Sequence, residues 1–251
     1  MQMRITVLVE NNSRIDNYLL SEPALSFLLE VDKRKILFDC GYSDILIKNA
    51  EKLNIDLNSI DNIILSHGHN DHTGGLVCLP KNKNITLIAH PNIFDKKFED
   101  NGIEYGCPIP KSQLEEKFNV ILKKDVYWIT ENLCYLGEIE NNLSNDLDDT
   151  ALVYKSQKGL IIIVGCSHSG IINILKYAQK VTGEKRIYTI LGGMHLLNMS
   201  QNELSSLANN LLSFDVNLIY PCHCCDLNAK IELSKHFKIE EVCTGDVIKL
   251  N

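Results

Sequence analysis

The sequence predicts an α/β fold built from two similar halves. Each half begins with short apolar segments of strand type and then alternates strands with helices. Each half also places histidines directly after strands, at 67–72 in the first half and at His168 and His223 in the second. Because ligand sites in α/β proteins lie at the carboxyl ends of strands, this pattern predicts a site assembled from strand ends.

The elements of the first half follow from apolar runs such as RITVLV and KILFD, which are bounded by polar residues or glycine. Strands are predicted at 4–9, 25–30, 35–39, 61–65 and 85–89, and helices at 43–53, 74–79 and 110–118. The segment 91–125, which contains NGIEYGCPIP, is the least regular and is interpreted as an insertion covering one rim of the site.

The second half shows the same alternation. Strands are predicted at 126–129, 133–136, 151–155, 160–164, 187–191, 216–220 and 246–250, and helices at 170–181, 201–213 and 226–235. Ser200 followed by Glu203 is the pattern of a capping box at the start of the second of these helices. Without a linker-like tract, residues 1–251 are predicted to form a single domain.

Composition and charge exclude several classes of protein. Of the 251 residues, 45% are hydrophobic, and the formal net charge of −7 argues against a nucleic-acid or anionic-membrane binder. No apolar run reaches the ~20 residues of a membrane span, and the N-terminus lacks the features of a signal peptide. The nine cysteines are therefore predicted to be reduced thiols of a cytoplasmic protein. The oligomeric state is left open.

The stretch IILSHGHNDHTGG at 63–75 carries the clearest chemical signal. In a nearly extended segment residues two apart point the same way, so His67 and His69 can share one metal ion. Asp71 and His72 lie past the turn and can face a second ion. Histidine and carboxylate ligands suit zinc, manganese or iron.

This His-x-His-x-Asp-His pattern resembles the signature of the metallo-β-lactamase superfamily. ILFDCG at 36–41 is similar to the first motif of that superfamily, in which the aspartate, here Asp39, supports the site by hydrogen bonding. The resemblance implies a four-layer αβ/βα sandwich, with two mixed sheets packed together and the helices outside.

The resemblance also implies metal ligands from the second half. IIIVGCSHSG at 161–170 and LIYPCHCC at 218–225 are strands that run into histidine-bearing turns, which makes His168 and His223 the candidates. Two divalent ions are then expected, with zinc first and manganese or iron as alternatives. The first ion would bind His67, His69 and His168, and the second Asp71, His72 and His223.

For two other residues near these ligands, Cys166 and His195, the sequence leaves two roles possible. No aspartate occurs between Asp149 and Asp215, so the bridging carboxylate usual in the superfamily has no counterpart after the 160–164 strand. Cys166 lies roughly where that carboxylate would be expected, and it is interpreted either as a buried structural thiol or as a thiolate that binds the metal. His195 follows two glycines and is either a proton donor or substrate contact, or a structural residue. Asp71 and His195 are the candidate catalytic residues.

GCSHSG, LGGMHLL at 191–197 and the Pro-x-His-Cys run resemble one branch of the superfamily. That branch includes a synthase that joins a dihydropterin methyl diphosphate to a ribofuranosylaminobenzene phosphate. The branch usually reads His-Cys-Thr-Gly where this chain has His223, Cys224, Cys225 and Asp226. Cys225 and Asp226 are therefore candidate residues of a loop on the substrate side, where Asp226 would disfavour an anionic group.

Hydrolysis of an ester, thioester, lactone or phosphoester in a small-molecule substrate is the primary functional hypothesis. Two metal ions would lower the pKa of a shared water toward ~7 and stabilise the developing charge. One alternative is the synthase reaction, and another is a nuclease, which the acidic charge balance disfavours. A third is a non-catalytic metal-binding or redox partner, favoured only by the cluster of Cys222, Cys224 and Cys225.

Overall fold

The computed structural model describes residues 2–140 and 147–250, and these form two units, each with a mixed sheet and an apolar core. The first unit runs to Lys124 and also includes Cys243–Leu250, and the second comprises Asp125–Val242. The assignment of 1–251 to a single domain stays a prediction. Among the described residues, no helix combines the length and the apolar character that crossing a membrane requires.

Twelve of the fourteen strands in the described residues lie close to the predicted positions, and those at 119–122 and 238–239 are not among the predicted ones. The fourteen are β1 (Met3–Val9), β2 (Ser26–Val31), β3 (Arg34–Phe38), β4 (Asn62–Ile64), β5 (Thr86–Ala89), β6 (Asn119–Leu122), β7 (Tyr127–Trp128), β8 (Leu133–Tyr135), β9 (Ala151–Ser156), β10 (Gly159–Val164), β11 (Ile187–Gly192), β12 (Leu218–Pro221), β13 (Lys238–Ile239) and β14 (Val247–Leu250).

The α-helices also begin and end near the predicted residues, with one exception discussed below. They are α1 (Ile45–Lys52), α2 (Asn70–Thr73), α3 (Lys111–Lys117), α4 (Ile171–Thr182), α5 (Gln201–Leu212) and α6 (Leu227–Ser234). Short 3₁₀ helices occur at Leu57–Ser59, Gly74–Val77 and Pro91–Phe94.

Both sheets join an antiparallel part to a parallel part. In the first sheet the order is β14-β1-β2-β3-β4-β5-β6, antiparallel up to β3 and parallel from β3 to β6. In the second sheet the order is β13-β12-β11-β10-β9-β8-β7, parallel from β10 to β13 and antiparallel from β7 to β10. Parallel neighbours end on the same side, so their following loops lie together at one edge of each sheet.

Helix packing in the second unit follows the amphipathic pattern of the sequence. α4 buries Ile171, Ile174, Leu175 and Ala178, a spacing that places all four on one helical face against the core. α5 begins with the predicted capping box, in which the Ser200 side chain accepts from the Glu203 N–H and the Glu203 carboxylate accepts from the Ser200 N–H. These helices cover the sheet whose strand ends carry the second set of histidines.

Two differences from the predicted elements bear on the site. Residues 119–122, assigned to the insertion, form β6 at the edge of the first sheet, so the irregular part of 91–125 is shorter than expected. The helix expected at 74–79 is instead α2 followed by the 3₁₀ turn at 74–77. The helical segment starts before residue 74 because the His69 carbonyl accepts hydrogen bonds from the N–H groups of His72 and Thr73.

Candidate functional site

The first group of candidate residues lies where β3 and β4 end side by side. β3 leads into Asp39 and β4 leads through Ser66 into His67, and the Asp39 N–H donates to the Ile64 carbonyl at 2.9 Å. Asp39 has a φ of +57°, a left-handed conformation that is strained for most residues and tolerated by aspartate. The parallel pairing of the two strands therefore brings the ILFDCG motif against the histidine motif.

The Asp39 carboxylate holds both of these loops. One oxygen accepts from the Ser66 backbone N–H at 2.7 Å, and the other accepts from the Ser66 hydroxyl at 2.7 Å. The second oxygen also lies 2.7 Å from Nδ1 of His72, and the side chains of Asp39 and His72 are fully buried. With Nδ1–H donated to the carboxylate, Nε2 of His72 keeps the lone pair that a metal ion requires.

The imidazoles of the histidine motif form a compact cluster. The His67 ring centroid lies 4.4 Å from that of His69 and 4.2 Å from that of His72. Nδ1 of His67 lies 2.9 Å from the Ser66 hydroxyl, so the ring is oriented by a neighbour in the way that metal-bound histidines usually are. Nε2 of His72 is 3.7 Å from a carboxylate oxygen of Asp71, a separation that one ion can span with bonds of about 2 Å.

Two glycines explain how the motif approaches the Asp39 loop so closely. A Cβ on Gly75 would lie 2.0 Å from the Cys40 carbonyl oxygen, and a Cβ on Gly74 would lie 2.2 Å from that of Tyr42. The Gly75 N–H donates to the Gly41 carbonyl at 3.1 Å. The pair that follows the histidines thus allows backbone-to-backbone packing that any larger residue would prevent.

The second group of candidate residues lies at the ends of β10, β11 and β12, which are parallel neighbours. The turn after β10 carries Cys166 and His168, and it is tied to the turn after β11 by two hydrogen bonds. The Ser167 hydroxyl donates to the Gly193 carbonyl at 2.7 Å, and the Gly193 N–H donates to the Gly165 carbonyl at 2.9 Å. Cys166 is buried, with 4% of its surface exposed.

A buried aspartate also holds the His168 turn. One Asp149 oxygen accepts from the Ser169 N–H at 2.8 Å and from the Ser169 hydroxyl at 2.6 Å. Burial raises the pKa of Asp149 to about 6, although the hydrogen bonds from Ser169 act in the opposite direction. Asp149 therefore fixes the turn next to His168, in a manner comparable to Asp39 in the first unit.

His195 lies beside His168 in the second unit. The two ring centroids are 4.6 Å apart, and His195 is exposed with a left-handed φ of +54°. Its backbone N–H donates to the sulfur of Cys224 at 3.2 Å. The side-chain hydrogen bond from Cys166 holds the pKa of Cys224 well below its usual range, and the contact with His195 adds to that effect while burial opposes it.

The loop that departs from the branch pattern is held by backbone N–H groups of the segment after β11 and of α6. The sulfur of Cys225 accepts from the Met194 N–H at 3.4 Å in the buried core, which argues against direct contact between this thiol and a substrate. The Asp226 carboxylate caps α6 by accepting from the Ala229 N–H at 2.8 Å and accepts from the Asn198 N–H at 3.0 Å. These hydrogen bonds lower the pKa of Asp226. Asp226 is thus the N-cap of α6, and its predicted effect on an anionic substrate group stays a prediction.

Candidate metal ligands therefore occur in both units. They are His67, His69, Asp71 and His72 in the first unit and Cys166, His168 and His223 in the second. Three further residues next to the candidate ligands, Ser66, Tyr105 and Asp149, are not among those predicted, and the Tyr105 ring centroid lies 4.8 Å from that of His69. Ser66 follows the predicted strand at 61–65 and Asp149 shortly precedes the one at 151–155, and a polar residue at a strand end is a signal that the sequence offers, whereas Tyr105 lies in an irregular segment without one.

Comparison with known proteins gives matches over nearly the whole chain. A model of the Metallo-beta-lactamase superfamily matches residues 21–130. The 7,8-dihydropterin-6-methyl-4-(beta-D-ribofuranosyl)-aminobenzene-5'-phosphate synthase of Methanocaldococcus jannaschii is 32% identical over 98% of this chain and 96% of its own length. An uncharacterized protein of the same organism is 30% identical over 92% of this chain and 94% of its own.

A solved structure agrees with these sequence matches. Tm1679, described as a metal-dependent hydrolase of the beta-lactamase superfamily, has a TM-score of 0.85 and 30% identity, covering 99% of this chain and 98% of its own. The predicted metallo-β-lactamase-like α/β fold is confirmed. With a full-length relative above 30% identity, the chain belongs to the metallo-β-lactamase superfamily.

Proposed function

We propose that this protein is a metal-dependent enzyme that cleaves an ester, thioester, lactone or phosphoester bond of a small molecule. The observation that carries the proposal is the buried Asp39, which orients His72 within a cluster of imidazoles. The side chains of His67, His72 and Asp39 are buried, and burying such groups is costly unless they are paired or bind a metal. Membership of a largely enzymatic superfamily supports the same reading.

The donor set fits two divalent ions. One ion would be held by His67, His69 and His168, and the other by Asp71, His72 and His223. Imidazole nitrogen and carboxylate oxygen are ligands of zinc, with manganese and iron as the alternatives. Cys166 is a further donor if a thiolate enters the site, and Asp39 would support His72 without touching the metal.

Bound divalent ions supply Lewis acidity toward a carbonyl or phosphoryl oxygen and a nucleophile at neutral pH. Asp71 would act as a ligand and as an acceptor for a proton of the attacking water. His195 is exposed and lies beside His168, so it would donate a proton to the leaving group or contact the substrate. Hydrolysis breaks the bond to the leaving group and transfers the water oxygen to the acyl or phosphoryl centre.

The second candidate is a synthase reaction, and the full-length similarity to the Methanocaldococcus jannaschii enzyme favours it. In that case the amino nitrogen of the aminobenzene substrate would attack the methylene carbon of a pterin-type diphosphate, so that a C–N bond forms, the bond to diphosphate breaks and the nitrogen releases a proton. The two candidates share the metal ligands and differ in the nucleophile.

The test begins with the metal content of the full-length protein produced in metal-supplemented medium. About two ions per chain are expected for the wild type, with fewer in His69→Ala. His236→Ala is the matched control, because His236 lies near Glu232 on α6 and outside both candidate groups. Unchanged metal content in His69→Ala, or a wild type without metal, would contradict the proposal.

A substrate panel then separates the two reactions. The panel contains a dihydropterin methyl diphosphate with and without ribofuranosylaminobenzene phosphate, a simple phosphodiester, a thioester and a lactone. Hydrolysis of the diphosphate or an ester without the second substrate supports the primary candidate, whereas a coupled product supports the synthase. A metal-loaded protein inactive on all of them would favour a non-catalytic metal-binding role.

A further inference from the structure

Two cysteines of the second unit stand beside candidate histidine ligands. Cys166 lies two residues before His168 in the turn after β10, and Cys224 directly follows His223 after β12. Cys166 is buried and Cys224 is half-buried. The proposed reaction uses Cys166 only as a further metal donor and gives Cys224 no role.

The Cys224 sulfur lies against both the main chain and the side chain of Cys166. It is 3.6 Å from the Cys166 carbonyl oxygen, and the two thiols are hydrogen-bonded to each other. A Cβ on Gly193 would lie 2.5 Å from this sulfur and 3.5 Å from the Cys166 Cα. The glycine therefore leaves open the space in which the Cys224 side chain reaches Cys166.

The segment after β11 holds both cysteines in place. The His195 N–H donates to the Cys224 sulfur at 3.2 Å, and the Leu196 N–H donates to the Cys224 carbonyl at 2.9 Å. The Gly193 N–H donates to the Gly165 carbonyl at 2.9 Å, directly before Cys166. Because the fold already orders the two thiols side by side, little further conformational freedom is lost when they bond.

The neighbouring cysteines of this unit are poorer partners for Cys224. Cys134 lies among apolar side chains of the core, and Cys222 is fully buried. The Cys225 sulfur accepts from the Met194 N–H at 3.4 Å in the core, and a bond to Cys224 would take it away from that donor. Cys166 is thus the partner that the contacts favour.

We propose that Cys166 and Cys224 form a reversible disulfide when the protein meets a peroxide. Hydrogen peroxide transfers one oxygen atom to the Cys224 sulfur, which becomes a sulfenic acid, and water leaves. The Cys166 sulfur then attacks the Cys224 sulfur, the S–O bond breaks, and the hydroxyl group leaves as water with the proton of the Cys166 thiol. The pair loses two hydrogen atoms in all, and a dithiol reductant restores both thiols by exchange.

The disulfide regulates the candidate metal site, a consequence that rests on the proposed function. Formation of a covalent bond draws the two sulfur atoms together, so the turns that carry His168 and His223 must shift, whereas metal ligands need distances correct to about 0.2 Å. The bond also removes Cys166 as a donor. The oxidised protein is therefore expected to bind zinc about tenfold or more weakly, as when a partner that orients a ligand is lost.

The test counts reduced thiols in metal-stripped, full-length protein by alkylation in denaturant, before and after a slight molar excess of hydrogen peroxide. All nine cysteines should react before oxidation, and two fewer afterwards, with peptide mapping showing Cys166 linked to Cys224. A dithiol reductant should restore the full count. Cys166→Ser should form no disulfide and should instead accumulate a sulfenic acid on Cys224 that dimedone labels.

Two control variants locate the bond. Cys78→Ser removes an exposed thiol of the first unit, and Cys225→Ser removes the neighbour of Cys224. Both should give the same linked peptide as the wild type, and thermal denaturation checks that each variant is folded. No Cys166–Cys224 peptide in the wild type, a bond from Cys224 to Cys225, or an equal loss of thiols in Cys166→Ser would overturn the inference.

Zinc affinity, measured by competition with an indicator, tests the regulation separately. Peroxide should weaken zinc binding in the wild type and leave that of Cys224→Ser unchanged. A linked pair with unchanged zinc affinity would overturn the regulatory consequence. A protein that forms the disulfide but binds no zinc in either state would contradict the proposed function and support the disulfide itself.

Discussion

Replacement of Asp39 by asparagine tests the central feature of the first unit. The carboxylate accepts from the Ser66 N–H, the Ser66 hydroxyl and His72 Nδ1, each at 2.7 Å and away from solvent. Asparagine has the same shape but offers one acceptor oxygen and one NH₂ group. Whichever way the amide is turned, its NH₂ group faces Ser66 or His72 donors, so at least one charge-assisted hydrogen bond is lost and a buried donor meets another donor.

The magnitude follows from these contacts. One hydrogen bond to a charged group contributes roughly 1.5–3 kcal/mol, and a buried donor left unsatisfied costs about 1–3 kcal/mol. We therefore expect Asp39→Asn to lower the free energy of unfolding of the metal-free protein by about 3–5 kcal/mol. Loss of the partner that orients a metal-binding histidine typically lowers metal affinity about 10–100-fold.

Two measurements check this prediction. Urea denaturation of the metal-stripped protein gives the unfolding free energy, and competition with a zinc indicator gives the affinity for zinc. The matched control is Asp61→Asn, since Asp61 also accepts from a backbone N–H, that of Lys35 at 2.8 Å, but is partly exposed and lies at the other end of β4. If Asp39→Asn kept both quantities within the range of Asp61→Asn, the role assigned to the Asp39 carboxylate would be refuted.

Three further predictions concern the remaining features. Gly75→Ala should lower the unfolding free energy by about 1–3 kcal/mol, as measured by thermal and urea denaturation, because its Cβ would lie 2.0 Å from a carbonyl oxygen; an unchanged midpoint would contradict the packing argument. His168→Ala should lose bound metal, whereas His195→Ala should keep the metal and lose activity; the opposite pattern in elemental analysis would reverse their roles. Cys225→Thr/Asp226→Gly should gain turnover of phosphorylated relative to uncharged substrates, although loss of the helix cap costs about 1 kcal/mol of stability; a parallel change on both substrate sets would exclude electrostatic discrimination by Asp226.

The alternation of strands and helices could be predicted from sequence because periodicity and apolar runs report local burial. β10, α4 and α5 begin and end within one residue of the predicted positions. β6 could not be found this way, since four residues that directly follow a helix carry too short a pattern to distinguish a strand from a loop. Its pairing with β5 supplies the hydrogen bonds that the local sequence does not reveal.

In the candidate site, too, some contacts follow from the spacing of residues in the sequence and others only from tertiary packing. The spacing of His67 and His69 is a local signal, and their ring centroids do lie 4.4 Å apart. Tyr105 could not be assigned, because its proximity to His69 depends on how the irregular segment folds back onto α2. The motif places Cys225 in a candidate substrate-side loop, which stays a prediction, whereas the position of its sulfur in the core beside the Met194 N–H follows only from tertiary packing.

Asp39 and Asp149 each hold a turn that carries a candidate histidine ligand, but they do so through different contacts. Each is a fully buried aspartate that accepts a backbone N–H and a hydroxyl from a serine adjoining a candidate histidine ligand, Ser66 or Ser169. Asp39 also contacts the imidazole of His72, so it fixes the orientation of a candidate ligand as well as the course of the loop. Asp149 bonds the Ser169 side chain and backbone, and burial raises its pKa to about 6, so it acts on His168 through the turn. It follows that the charge of Asp39 contributes to the donor strength of a histidine, whereas Asp149 contributes mainly to the position of one.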